Sequence, residues 1–114
     1  MEITETKSGE VCILTLKGSL DTNTSKQLRE RWSELIQGGE KHFVVDAAEL
    51  VYVSSSGLGE LLLAAKSLKD SAGRIVVCNL NGRIQEIFAM TGFSKLFTVY
   101  NSVEEALRGL GALA

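Results

Sequence analysis

Three consecutive hydroxyl side chains, Ser54-Ser55-Ser56, stand between the apolar run Leu50-Val51-Tyr52-Val53 and Gly57-Leu58-Gly59. A serine in such a place can be a helix N-cap, a nucleophile if a base adjoins it, or an acceptor for a phosphoryl group. The nucleophile reading lacks its base. The single histidine, His42, follows Lys41 just ahead of an apolar run, the usual setting of a solvated strand-end imidazole. One serine acting as a cap accounts for one hydroxyl and needs no further role. The acceptor reading uses the same physics, because a helix N-terminus favours negative charge and tolerates a phosphoryl group added there.

Other chemistries find no residues to carry them. Gly-x-Gly occurs only as Gly57-Leu58-Gly59, without the third glycine of a dinucleotide fingerprint, and no glycine-rich run ends in lysine to cradle phosphates. Cys12 and Cys78 each lie inside an apolar run, Val11-Cys12-Ile13-Leu14 and Ile75-Val76-Val77-Cys78, and read as free core thiols. Two distant cysteines and one histidine are too few for a structural zinc site. No metal, no cofactor and no enzymatic activity are expected. Twelve Lys and Arg against fourteen Asp and Glu give a net charge of −2, which leaves no basic field for a nucleic acid.

The elements that must position the serines follow from hydrophobic period and turn residues. With 114 residues, 45% hydrophobic and 23% charged, the chain fits one globular domain over 1–114. Ile3 to Leu16 predicts a hairpin turning at Lys7-Ser8-Gly9-Glu10, its first strand an edge. Lys17 to Asn23 predicts a polar loop. The capping-box spacing of Thr24 and Gln27 predicts a helix carrying Leu28, Trp32, Leu35 and Ile36, ended by Gly38-Gly39. Phe43 to Asp46 reads as a buried strand that continues loosely to the serines. A second helix from about Ser56 shows Leu58, Leu61, Leu62, Ala65 and Leu68 as one stripe, and Gly73 closes it. Arg74 to Cys78 predicts a strand, Gly82 to Gly92 a helix facing inward through Ile84, Ile87 and Phe88, and Leu96 to Tyr100 a last strand. Ser102 and Glu105 open a final helix with Ala106, Leu107 and Leu110 on one face. Alternating strands and helices imply an α/β fold, a mostly parallel mixed sheet with an N-terminal antiparallel edge strand and about four helices. The N-terminus lacks a signal peptide and no segment reaches about 18 apolar residues, so a soluble cytoplasmic protein is expected.

A docking surface is the remaining reading of the second helix. Between Val51 and Ala65 the only charged residue is Glu60. Opposite the leucine stripe lie Glu60, Leu63, Ala64 and Ser67, an exposed Leu and Ala beside small residues that let a partner approach. One exposed leucine is also ordinary for any soluble protein. As a docking face it places the serines at the contact, where about −1.5 to −2 added charges would repel a closely packed partner.

These residues resemble a STAS domain, and specifically the small stand-alone anti-sigma factor antagonists, over nearly the whole chain. Ser54-Ser55-Ser56-Gly57-Leu58-Gly59 is similar to the family's Asp-Ser-Ser-Gly-Leu-Gly, Gly18-Ser19-Leu20-Asp21 to its Gly-x-Leu-Asp loop, and Phe88-Ala89-Met90-Thr91-Gly92-Phe93 to its late Leu-Phe-x-x-(Ser/Thr)-Gly-(Leu/Phe) segment. The resemblance implies phosphorylation at Ser55 and partner contacts through Asp21, Ser54, Ser56, Gly57, Leu58, Glu60 and Leu63. It implies two partners: an anti-sigma factor serine kinase, bound in the unmodified state so that the sigma factor is released, and a metal-dependent PPM-type phosphatase that reverses the modification. A monomer is expected for the chain alone, without membrane insertion. Ser54 departs from the family's Asp, and two alternatives follow: Asp21 compensates, or phosphorylation is altered; Ser56 is a second possible acceptor and the better placed cap. Two other roles stay open: a non-phosphorylated STAS subunit of a lipid-transport ATPase or another membrane complex, and a nucleotide-binding module.

Overall fold

The computed structural model describes residues 1–69 and 72–111, so the single-domain expectation extends over 112–114, outside the described residues. The chain runs β1 (Glu2–Ser8), β2 (Val11–Leu20), α1 (Thr22–Gln37), β3 (His42–Val53), α2 (Ser55–Lys69), β4 (Arg74–Cys78), α3 (Gly82–Thr91), a 3-10 turn (Phe93–Lys95), β5 (Val99–Tyr100) and α4 (Val103–Gly109). The five strands lie in chain order. β1 pairs antiparallel with β2, and every later pairing is parallel. The α/β mixed sheet with four α-helices is therefore as expected from the alternation of apolar periods.

Right-handed crossovers that advance always in one direction put their helices on one face of a sheet. Accordingly Leu28 and Trp32 of α1, Leu58, Leu61 and Leu68 of α2 and Ile84 and Phe88 of α3 share a core with Leu14, Leu16, Phe43, Val45 and Val77. Trp32 stands edge-on to Phe43 with ring centres 5.0 Å apart. The alternate residues Val11, Val44, Val76 and Cys78 face the other way and are covered by Ala106 and Leu110 of α4. Both thiols are free and buried, as their apolar settings predict. Among the described residues, no helix is long and apolar enough to cross a membrane.

Several boundaries move for identifiable reasons. The hairpin turns at Gly9-Glu10 alone, with Gly9 at φ +60°. β2 runs on to Leu20 where a loop was expected, because its last residues pair with Glu49 to Val53 of β3 through two register shifts. α1 starts at Thr22 rather than Thr24: Asp21 is the N-cap, and Thr24 closes the box with it instead of with Gln27. β5 is reduced to Val99–Tyr100, since Phe93–Lys95 forms a 3-10 turn and buried Phe97 turns toward Phe88 and Phe93. At the last helix Ser102 caps as expected, its hydroxyl accepting the Glu105 N–H.

Candidate functional site

The serines sit where β3 hands over to α2, beside the parallel handover from β2 to α1. The Ser54 N–H donates to the Leu20 carbonyl at 2.8 Å, which ties the two strand ends together. The Ser54 hydroxyl accepts the Gly57 N–H at 3.1 Å. Ser54 is thus the cap of α2, a correction to Ser56 as the better placed cap. The reason is geometric: the cap residue keeps strand-like backbone and reaches the amide three residues on, and α2 begins one residue earlier than the sequence suggests.

That assignment releases Ser55. It occupies the first helical position, is exposed, and its hydroxyl makes no hydrogen bond among the described residues. Ser56 is exposed too, but its Oγ lies 3.3 Å from the Thr22 Oγ at the start of α1. The starts of α1 and α2 therefore adjoin, and the positive ends of both helix dipoles meet at this corner.

Gly57 makes the approach possible. A Cβ there would lie 2.7 Å from the Leu20 Cγ and 2.8 Å from the Leu20 carbonyl oxygen. Gly57 and Leu58 are buried, Leu58 being 3% exposed, so they hold α2 against the end of β2 and offer a partner no surface.

Asp21 lies at the same corner, half-buried, and its carboxylate is engaged. Oδ1 accepts the N–H groups of Asn23 and Thr24, each at 3.0 Å, and the Thr24 hydroxyl at 3.2 Å. These bonds, the Thr24 amide foremost, hold its carboxyl below the ordinary aspartate range. Asp21 therefore caps α1 through Oδ1.

The outer face of α2 is only partly what its pattern suggests. Leu63 is 56% exposed, and Ser67 is exposed beside it. Glu60 and Ala64 are both 5% exposed, because α1 packs against this side of α2. Glu60 accepts the Arg29 Nε–H at 2.8 Å, an ion pair that fastens the two helices behind the serines. Leu62 and Ala65 are half-buried, so the buried face is centred on Gly57, Leu61, Ala64 and Leu68.

Two apolar residues of the site escape the sequence pattern. Val51 and Tyr52 are 55% and 46% exposed, immediately ahead of the serines. β4 pairs with β3 only from His42 to Asp46, so among the described residues no strand flanks the last residues of β3 on that side. The signal available was the apolar stretch Leu50-Val51-Tyr52-Val53 itself, which lengthens β3 to twelve residues against the five of the strand that follows. His42, at the far end of β3, is remote from the serines in sequence and strand position. Among the described residues, no cluster of three or more His, Cys, Asp and Glu could hold a metal ion.

Comparison with known proteins accords with this geometry. The STAS domain profile matches residues 2–106. The protein BtrV of Bordetella bronchiseptica is 35% identical over 106 residues, 93% of this chain and 91% of its own. A Paenibacillus polymyxa protein named anti-sigma F factor antagonist is 33% identical over 101 residues, 88% of this chain and 86% of its own. SpoIIAA shares the fold: its unphosphorylated form superposes with a TM-score of 0.76 at 24% identity, covering 96% of this chain and 99% of SpoIIAA. The phosphorylated Bacillus form gives 0.74 at 23% over the same shares. With the profile spanning all five strands and a relative at 35% identity covering most of the chain, this protein belongs to the STAS domain family.

Proposed function

We propose that this chain is an anti-sigma factor antagonist, a regulatory protein and not an enzyme, whose phosphoryl acceptor is Ser55. The names of its relatives support the first part. The observation that supports the second is the division of labour among the serines: Ser54 caps α2, Ser56 meets Thr22, and Ser55 is left exposed and unbonded at the first helical position.

The unmodified domain binds an anti-sigma factor serine kinase in the cytoplasm, and the sigma factor goes free. The docking face consists of Ser55, Ser56, Leu63 and Asp21, extended by Val51 and Tyr52. Glu60, Gly57, Leu58 and Ser54 hold that face in shape from beneath. A phosphate on Ser55 adds about −1.5 to −2 charges, which the α2 N-terminus stabilises, so the fold is kept. The kinase loses its site because the same charge must be desolvated and repelled at a closely packed contact. A PPM-type phosphatase restores the binding form.

Replacing Ser54 for the family's Asp is consistent with this scheme, since Asp and Ser cap a helix about equally well. The test is a binding and labelling experiment with the anti-sigma factor kinase and ATP. Ser55→Ala is expected to bind as the parent does and take up no phosphate. Ser55→Asp is expected to bind at least tenfold more weakly with an unchanged circular dichroism spectrum. Parent-like affinity of Ser55→Asp would overturn the switch.

A further inference from the structure

The outer edge of β4 is only half covered. β4 pairs with β3 from Arg74 onward, whereas β5 pairs only with Val77 and Cys78. Successive residues of a parallel strand direct their N–H and C=O groups to opposite sides. The Arg74 N–H donates toward β3, to Lys41, and the Val77 N–H donates toward β5, to Thr98. Ile75 is in step with Val77, so its main chain faces the side where, among the described residues, no strand lies.

That edge opens onto a groove of about 380 Å³ between β4 and the second half of α2. Leu62, Ala65 and Leu96 supply an apolar floor, and Leu96 is 59% exposed. Lys66 and Arg74 stand at the rim, both exposed, and neither pairs with a carboxylate among the described residues.

We propose that this groove binds an extended, acidic segment of a partner protein, which adds to β4 as a strand. The free main-chain groups of Ile75 require an extended backbone, because a helical partner has already used its own. The apolar floor takes an aliphatic side chain from one face of that strand. Lys66 and Arg74 select acidic neighbours, by attraction that is strongest at low salt. Along α2, Lys66 lies eleven residues from Ser55, roughly 16 Å of helix axis, so the charged rim of the groove lies away from the phosphoryl acceptor. The proposal does not depend on phosphorylation of Ser55.

The test is a titration of the uniformly 15N-labelled full chain, followed by NMR, with the capped peptide Glu-Glu-Val-Thr-Val-Glu-Glu. Saturable shifts are expected at the Ile75, Lys66, Leu96 and Thr98 amides, with exchange of the Ile75 amide slowed at least tenfold and Ser55 unmoved. Lys66→Glu/Arg74→Glu is expected to weaken binding at least tenfold, and the milder Lys66→Gln/Arg74→Gln pair severalfold, which serves if charge reversal unfolds the chain. The proposal is overturned if the Ile75 amide does not move, if neither variant weakens binding, or if the shifts centre on Ser55. Shifts of Ile75 with protein concentration alone would identify a second copy of this chain as the occupant and equally overturn an acidic partner.

Discussion

Position 54 separates capping from phosphorylation within a run of three identical residues. With Ser54 accepting the Gly57 amide, Ser54→Ala is expected to cost about 1 kcal/mol in urea denaturation, and Ser54→Asp to cost almost nothing. Ser56→Ala, which removes no cap, is expected to leave stability nearly unchanged. Asp21 gives the pH counterpart. Its folded carboxyl titrates below the ordinary range because Thr24 and Asn23 donate to the charged form, so its contribution is full above about pH 4–5 and fades as pH falls through the lowered value. Asp21→Asn still caps but does not titrate. The parent is therefore expected to lose stability relative to Asp21→Asn between about pH 5 and pH 2, and parallel curves would contradict the capping role. At this scale the residue types were legible in the sequence and their division of labour was not. A cap is decided by backbone geometry one residue at a time, and Ser54, Ser55 and Ser56 carry the same side chain.

At the scale of elements, α2 must sit tightly on the end of β2 for the serines to reach the surface. Gly57→Ala is expected to destabilise by about 1–3 kcal/mol, since its Cβ would meet the Leu20 Cγ and carbonyl oxygen; unchanged stability would mean that α2 has room to move. The α1–α2 contact makes a directional prediction. Removing Arg29 strands a carboxylate that is 5% exposed, whereas removing Glu60 strands a guanidinium that is already largely in water. Arg29→Ala is accordingly expected to lower the melting temperature more than Glu60→Gln. Leu63 is exposed, so Leu63→Glu is expected to weaken kinase binding with almost no loss of stability. Existence and order of the elements were readable from apolar period and caps, as for α3 and α4. The inner face of α2 was not, because the leucine run Leu61-Leu62-Leu63 offers three faces and only the position of α1 selects which is buried. For that reason the sequence pattern puts Glu60 and Ala64 on the surface, whereas both are buried.

For the whole molecule, the mixed sheet in chain order, three helices on one face and α4 on the other place all of the serine chemistry at one corner, where β2 and β3 end. The core itself is inert. Burial, aided by the Asp46 carboxylate, pushes the Cys78 thiol up to about 12, and burial raises Cys12 as well. Native protein at pH 8 is therefore expected to resist alkylation by iodoacetamide at both thiols and to react fully once unfolded. The topology was legible from strand and helix alternation, while the exposed Val51 and Tyr52 arise from strands of unequal length, a property of the assembled sheet. The account's central claim concerns Ser55, and intact-mass analysis of the protein from its native cells, with peptide mapping across Val51 to Lys66, tests it most directly. One phosphate localised to Ser55 is the predicted result; phosphate on Ser56 instead, or none under any growth condition, would contradict it.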